Sequence, residues 1–417
     1  MKPLELPFSR KASTLMHLDL NSCFATIEQQ ANPLLRGRPI AVAAYASPRG
    51  CILAPSIEAK KYGVKTGMRV RDGQLLCPGL QILAPDPDKY RHVHRVLKQL
   101  LLNYTDSVVP KSIDEFVLNF EGYPGLKLGL PTVAREIKAK IKDELGDWLT
   151  ISVGIGPNRF LAKLAAGLHK PDGLDEVNSI NFKNVYRSLS LTDLNGIKRA
   201  NAVRLHSQQI YTVWDFYSAP VSTLRSAFAS VCGYYWYLRL RGWEIDDVDF
   251  GRKSFGHMYS LPRPVSTPED LSPILHKLVE KLGFRLRSAG YRTSGVHLGL
   301  LYRDGSFWHQ GRVTSEPLFD SQDIYKRAFK ILSSSPYCLP VANLAVSCFN
   351  LTKNSVFQPD LFGRLERGLR LTKALDAVNS RWGNFVITPA SMIDTGSLVP
   401  DRIGFGSIKD MEQFIFS

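Results

Sequence analysis

Three carboxylates stand where acids are costly. Asp19 interrupts the apolar run LMHLDL, residues 15–20, and Asp114 and Glu115 stand side by side after a Pro110-Lys111 turn, at the head of the strand-like stretch IDEFVLNF, residues 113–120. A carboxylate on a buried strand needs a cationic or hydrogen-bonding partner, and one alone is more often a satisfied core acid than a ligand. Three hard oxygen donors at one place suit Mg2+, which is held by carboxylates when it also carries substrate phosphates. Two such ions about 3.5–4 Å apart would clamp the attacking and leaving oxygens of a phosphoryl transfer. Neighbours on a regular strand face opposite ways, so Asp114 and Glu115 serve one site only if the strand is distorted there or the metals lie at its edge. A solvated turn with two surface acids is the alternative.

The elements that would position these acids can be read around them. After Asp19 the pattern changes to helical spacing (Phe24, Ile27, Glu28), with Asn21 or Ser22 as its expected N-cap. Residues 37–85 form a compact insertion with two buried-strand patterns and a short helix, IEAKKYG, capped by Ser56 and closed by Gly63. Helices are expected over 90–103 and 131–145, a strand over 149–155, and a third helix from the Gly156-Pro157-Asn158 turn to Leu168. Lys163 lies on that helix among Leu161, Leu164 and Ala165, where a half-buried ammonium needs an anion unless its stem snorkels to water. Residues 178–249 differ in character: a Leu-x-Gly-Ile turn at Leu194 to Ile197, followed by Lys198 and Arg199, resembles a helix-hairpin-helix, which offers backbone N–H groups to a phosphate. After the polar linker EIDDVDFGRK, residues 255–353 read as β-α-β-β-α-β, with a tight Arg303-Asp304-Gly305 hairpin turn.

Composition narrows the function classes. Lys and Arg number 53 against 38 Asp and Glu in 417 residues, a net charge of +15, which favours a polyanionic partner. The six cysteines are scattered with no zinc spacing, as in a reducing cytosol. No apolar run is long enough for a membrane span, and the first residues lack a signal peptide's apolar stretch. A cytoplasmic protein with no membrane partner is expected.

Taken together, D-L-N-S-C-F-A-T-I-E, S-I-D-E and V-G-I-G-P-N-R-F-L-A-K-L-A resemble, in order and spacing, the Y-family translesion DNA polymerases. In its fingers and catalytic wording the chain looks most like the catalytic subunit of bacterial DNA polymerase V. The resemblance implies a multidomain α+β fold: a ferredoxin-like palm (1–36 and 86–177), small fingers (37–85), a helical helix-hairpin-helix thumb (178–245), a linker (246–254), a β-α-β-β-α-β little finger (255–353), and a clamp-binding segment with tail (354–417). It implies catalytic acids at Asp19, Asp114 and Glu115, which with the Leu20 carbonyl would bind two Mg2+ ions. Phe24 would be the steric gate beneath the nucleotide sugar, and Lys60 and Lys163 would contact the triphosphate. In the short fingers helix the family often has Tyr-Glu-Ala-Arg; here Ile57 lacks the hydroxyl and Lys60 lacks the bidentate fork. Gly196, Lys198 and Arg199 would hold DNA. Gln358, Leu361 and Phe362 of Q-P-D-L-F resemble the pentapeptide that binds the bacterial sliding clamp. The implied partners are primer-template DNA, dNTP, the clamp and an accessory subunit of the polymerase V type. A catalytically dead DNA and clamp adaptor and a palm-fold nucleotidyl cyclase are the rival readings. Retention of all three acids argues against the first, and the helix-hairpin-helix and clamp box against the second.

Overall fold

A computed structural model describes residues 6–248, 250–353, 364–383, 385–396 and 398–400. Met1–Val248 falls in one compact unit and Asp249–Asp401 in another.

The first unit opens with β1 (Leu15–Leu20) and α1 (Cys23–Ala31). The chain then builds a small subdomain from β2 (Ile40–Ala43), β3 (Ile52–Pro55), α2 (Ile57–Lys61), α3 (Val70–Leu76) and β4 (Gln81–Leu83). Its sheet runs β3-β2-β4 and closes over Ala41, Ile52, Ala59, Val70 and Leu80. The chain returns through α4 (Pro87–Leu102), β5 (Val108–Pro110), β6 (Glu115–Asn119), α5 (Gly125–Leu128), α6 (Leu130–Leu145), β7 (Ile151–Gly156), α7 (Arg159–Leu168) and β8 (Leu174–Glu176). These strands make one sheet in the order β5-β6-β1-β7-β8, so the first strand in sequence is the central one in space.

Alternation along β1 divides its work. Leu18 pairs with Phe116 on one face, where His94 of α4 stacks on Phe116 with ring centroids 4.8 Å apart. Leu15, His17 and Asp19 point to the other face, where Leu15 and Val117 pack on Ala162 of α7. Helix α7 lies almost on the backbone of β7. A Cβ added at Gly154 would meet the Ala162 carbonyl oxygen and the Ala166 nitrogen at 2.1 Å, so only glycine fits there.

The expected cap of α1 is not formed. Ser22 occupies the N-cap position at φ 52°, in the left-handed region, and makes no side-chain cap bond. Asn21 turns elsewhere: it donates to Ser152 Oγ (2.9 Å) and accepts from Thr150 Oγ1 (3.1 Å) and from Asp172 N (2.8 Å). An amide that can satisfy a neighbouring strand and a distant turn is held there rather than spent on the first turn of the helix.

Five short helices complete this unit: α8 (Phe182–Ser188), α9 (Arg199–His206), α10 (Val213–Ser218), α11 (Val221–Phe228) and α12 (Cys232–Arg239). Their core also takes in the arm that precedes β1. Phe8 stacks on Phe182 at 4.1 Å. Arg241, 3% exposed, donates to the Leu6 (2.9 Å) and Tyr217 (2.6 Å) carbonyls and lies 3.5 Å from the centroid of the Tyr237 ring.

The second unit contains β9 (Ser254–Val265), α13 (Pro268–Ser288), β10 (Tyr291–Tyr302), β11 (Phe307–Leu318), α14 (Ser321–Leu332) and β12 (Val341–Lys353), the β-α-β-β-α-β order read from the sequence. The antiparallel sheet runs β11-β10-β12-β9. Leu275 and Leu278 of α13 and Ile324 of α14 join Val296, Leu298 and Leu344 in the core on one face. The other face carries small residues, Gly295, Gly299, Gly311 and Ser347, beside His297 and His309, whose ring nitrogens are 3.1 Å apart. Arginines of this sheet stand on β9 (Arg263), β10 (Arg292) and β11 (Arg312), the last opposite core-facing Val296, and in the hairpin (Arg303).

The chain beyond β12 folds back on this unit. Asp376 of α15 (Arg364–Trp382) takes a two-pronged bond from Arg287, at 2.7 and 2.8 Å. Lys277 and Lys281 of α13 donate to the Thr395 and Val399 carbonyls. Gln358, Leu361 and Phe362 lie outside the described residues, as does the tail from Asp401. Among the described residues no helix is long and apolar enough to cross a membrane.

Candidate active site

Strand β1 ends in an open cleft of about 560 Å3 between the central sheet and the small subdomain. Asp19, Leu20, Phe24, Lys60 and Asp114 line it. Asp19 is the direct register partner of Glu115 across the β1–β6 ladder. Strand β6 begins only at Glu115, so Asp114 belongs to the preceding turn and escapes the pleat that would have turned it away. The Leu20 amide fixes that turn by donating to the Asp114 carbonyl at 2.9 Å. Asp19 thus has both acids as neighbours: Asp114 lines the cleft with it, and Glu115 stands opposite it on β6, held by Lys163 of α7.

Cations meet these carboxylates at once. Lys163 Nζ is 2.6 Å from Glu115 Oε2 and Lys170 Nζ is 2.5 Å from Asp19 Oδ2. Burial pushes Asp19 up to about 6 even against the pull of Lys170. Burial also raises Asp114, with the hydrogen bond from the Ser112 hydroxyl working the other way. Burial acts on Glu115 too, but the bond and charge of Lys163 outweigh it and hold this carboxyl below the usual range. The acids are thus desolvated donors whose charged forms require cations close by.

The carboxylate oxygens beside β1 fit Mg2+, while the imidazole next to them does not. Asp19, Glu115 and His17 bring one ligand atom each within 4.8 Å of one another, and two of the three are hard carboxylate oxygens. The His17 ring is 2% exposed, neither ring nitrogen has a hydrogen-bond partner among the described residues, and burial lowers its pKa to about 4. The imidazole is therefore neutral beside the acids.

Phe24 closes the floor of the cleft. It is 2% exposed and stacks face to face on Tyr90 of α4, centroids 4.4 Å apart and planes 12° from parallel. The Tyr90 hydroxyl donates to Glu28 (2.8 Å), which also accepts from Lys89 (2.6 Å). Lys60 faces the cleft from α2, whose first turn is capped by Ser56 accepting from Ala59 N. Partial desolvation in the cleft, together with the nearby Lys170 charge, pulls the Lys60 ammonium below the ordinary lysine value. Buried Gln29 of α1 ties this helix down through a 3.1 Å bond to Glu58. Away from the cleft, Gly196 has φ +97° with the Trp236 ring 3.2 Å from where a Cβ would stand, and Lys198 and Arg199 are exposed at the start of α9.

The description of the impB/mucB/samB family matches residues 18–167, and that of its C-terminal domain matches residues 252–361. The chain belongs to this family. It is a Y-family DNA polymerase, template-directed and capable of translesion synthesis. The DNA polymerase IV of Pelotomaculum thermopropionicum is 33% identical over 393 residues, 93% of this chain and 97% of that one. The DNA polymerase IV of Moorella thermoacetica is 36% identical over 383 residues, covering 90% and 94%. A solved Y-family DNA polymerase chimera of Dbh and Dpo4 shares the fold, with a TM-score of 0.72 at 23% identity over 82% of this chain and 99% of that one. Use of Mg2+ and binding of primer-template DNA and dNTP follow for this polymerase.

These relatives correct one expectation. The likeness to the polymerase V subunit rested on the fingers and catalytic wording, Lys60 of the short fingers helix included. One-third identity along nearly the whole chain points to the polymerase IV lineage instead.

Three residues at this polymerase's site were missed in the sequence: Lys170, which lines the cleft, and His17 and Tyr90, which are buried beside Asp19 and behind Phe24. Lys170 had a faint signal, a lysine before a Pro-Asp-Gly turn just after a helix. Nothing local says that the turn comes back to Asp19.

Proposed function

We propose that Asp19, Asp114 and Glu115, with the Leu20 carbonyl, hold two Mg2+ ions that serve primer extension. The observation that supports this reading is Asp19 of β1 lining the cleft with Asp114 of the turn before β6 and paired across the ladder with Glu115 at the start of β6, with burial acting against the charged form of all three. When bound, Mg2+ supplies charge neutralisation for the primer 3′ oxygen and the phosphate oxygens. The chain's own residues do the positioning. Lys60, Lys163 and Lys170 are within reach of triphosphate oxygens, Phe24 limits the space under the sugar, and the turn holding Asp114 keeps its carboxylate facing Asp19's side of the cleft. Lys198 and Arg199 beside Gly196 offer phosphate contacts without reading sequence. An enzyme of this kind works on the bacterial nucleoid, in the cytoplasm.

The ion count has a direct test. At sub-saturating Mg2+, single-nucleotide insertion is expected to rise with a log–log slope of about two. A slope of one across the range would leave a single ion.

The pentapeptide at Gln358 supports docking to the sliding clamp. Leu361 and Phe362 are adjacent large apolar side chains in a polar stretch directly after the little finger. Burying each is worth about 1.5–3 kcal/mol, enough to decide a weak docking. Changing both to Ala is expected to leave distributive extension unchanged and to remove stimulation by the clamp. Equal stimulation of variant and parent would reduce the pentapeptide to local packing.

A further inference from the structure

The acids of the cleft are already engaged. Lys170 holds Asp19 at 2.5 Å and Lys163 holds Glu115 at 2.6 Å. The two lysines come from different places: Lys163 from the middle of α7, and Lys170 from the turn that Asn21 fixes through Asp172 N. Their side chains are 38% and 39% exposed, so either ammonium can leave its acid for water or another anion without becoming a buried unpaired charge.

We propose that Lys163 and Lys170 are placeholders that make divalent-cation binding conditional on the nucleotide. The inference rests on reading Asp19, Asp114 and Glu115 as the metal ligands. A bare cation entering the cleft has to displace two ammonium groups from the oxygens it needs, and then lie within Coulomb range of both. A triphosphate reverses that balance. Its oxygens draw the ammonium groups off the carboxylates and leave those oxygens free. Metal and nucleotide then favour each other's binding by the same factor, as linkage requires. The nucleotide-free enzyme stays poor in metal at this site, and the site is completed only when substrate is present. Lys60, in the same cleft, adds a third positive charge to the repulsion.

The test measures metal alone. Mn2+ binding to nucleotide-free protein, followed by loss of the free-ion EPR signal, is compared for the parent, Lys163→Met, Lys170→Met, Lys170→Arg and Asp19→Asn. Each methionine variant keeps the stem and loses the charge, and is expected to bind Mn2+ about 5–10-fold more tightly than the parent, within the usual range of coupling between sites. Lys170→Arg keeps the charge and should match the parent. A non-hydrolysable dNTP analogue should tighten Mn2+ binding more in the parent than in the methionine variants. Unchanged or weaker binding in both methionine variants overturns the placeholder role. If Asp19→Asn binds Mn2+ as the parent does, the assignment of the ligands fails instead, so the two failures are told apart. The lysines are half-exposed and on different elements, so a folding defect in one variant leaves the other informative.

Discussion

Replacing Asp114 by alanine is expected to lower nucleotide insertion by about a thousandfold or more while DNA affinity stays within about twofold. The first figure follows from the several kcal/mol of transition-state stabilisation that a clamped cation supplies, at 1.36 kcal/mol per factor of ten. The second follows from geometry. Asp114 is in the turn ahead of β6, lines the cleft and bonds to Ser112, whereas Gly196, Lys198 and Arg199 belong to the helical part of the unit. The substitution should also cost little stability. Removing an acid that burial holds at raised pKa relieves a desolvated group rather than breaking a favourable one. Primer extension and DNA binding measured on the same preparation check both halves. Near-normal extension would remove Asp114 from the metal site.

For Phe24→Ala the expected result is a change in ratio. Ribonucleotide insertion should rise by about 10–100-fold relative to deoxynucleotide insertion, because pressing an added 2′ hydroxyl onto a packed ring costs about what overpacking costs, 1–3 kcal/mol. The ring cannot retreat. Tyr90 lies flat behind it, fully buried and held by its bond to Glu28. That backing also creates the competing outcome. Phe24 is a core residue as well as a cleft residue, and its truncation removes a stacked pair, with a stability cost of about 3–5 kcal/mol. Loss of packing alone would depress insertion of every nucleotide equally. Single-nucleotide kinetics with matched dNTP and rNTP separate the two, and an unchanged ratio would refute the gate.

What could be read from the chain without its fold was whatever is written locally or in a repeated spacing. The strand–turn–helix around Asp19, the carboxylate pair after Pro110 and the β-α-β-β-α-β order of the second unit all carry short-range patterns. Lys163 stood out because it interrupts an apolar helix face. Lys170, Tyr90 and His17 did not stand out. Each is an ordinary residue until a contact across the fold gives it a role, as when Tyr90 meets Phe24 or the turn at Asp172 meets Asn21, 151 residues away. The missing cap of α1 has the same origin: Asn21 had a local use by its type, and a better one through distant strands. Short wording also misled. A few residues shared with polymerase V carried less information than a third of the chain shared with polymerase IV.

The arm ahead of β1 bears on how such a chain is made. Leu6 and Tyr237 are bonded across 231 residues, and Arg241 reaches the Leu6 carbonyl across 235. At ribosomal rates of about 5–20 residues per second, the arm leaves the tunnel roughly 10–50 s before its partners do. Strand β1 waits as well, because both of its neighbours, β6 and β7, are translated later. A nascent chain therefore holds the central strand of its sheet unpaired on both edges while the small subdomain, whose strands are close in sequence, can already form. The contacts that close the first unit are made last by the residues that emerged first.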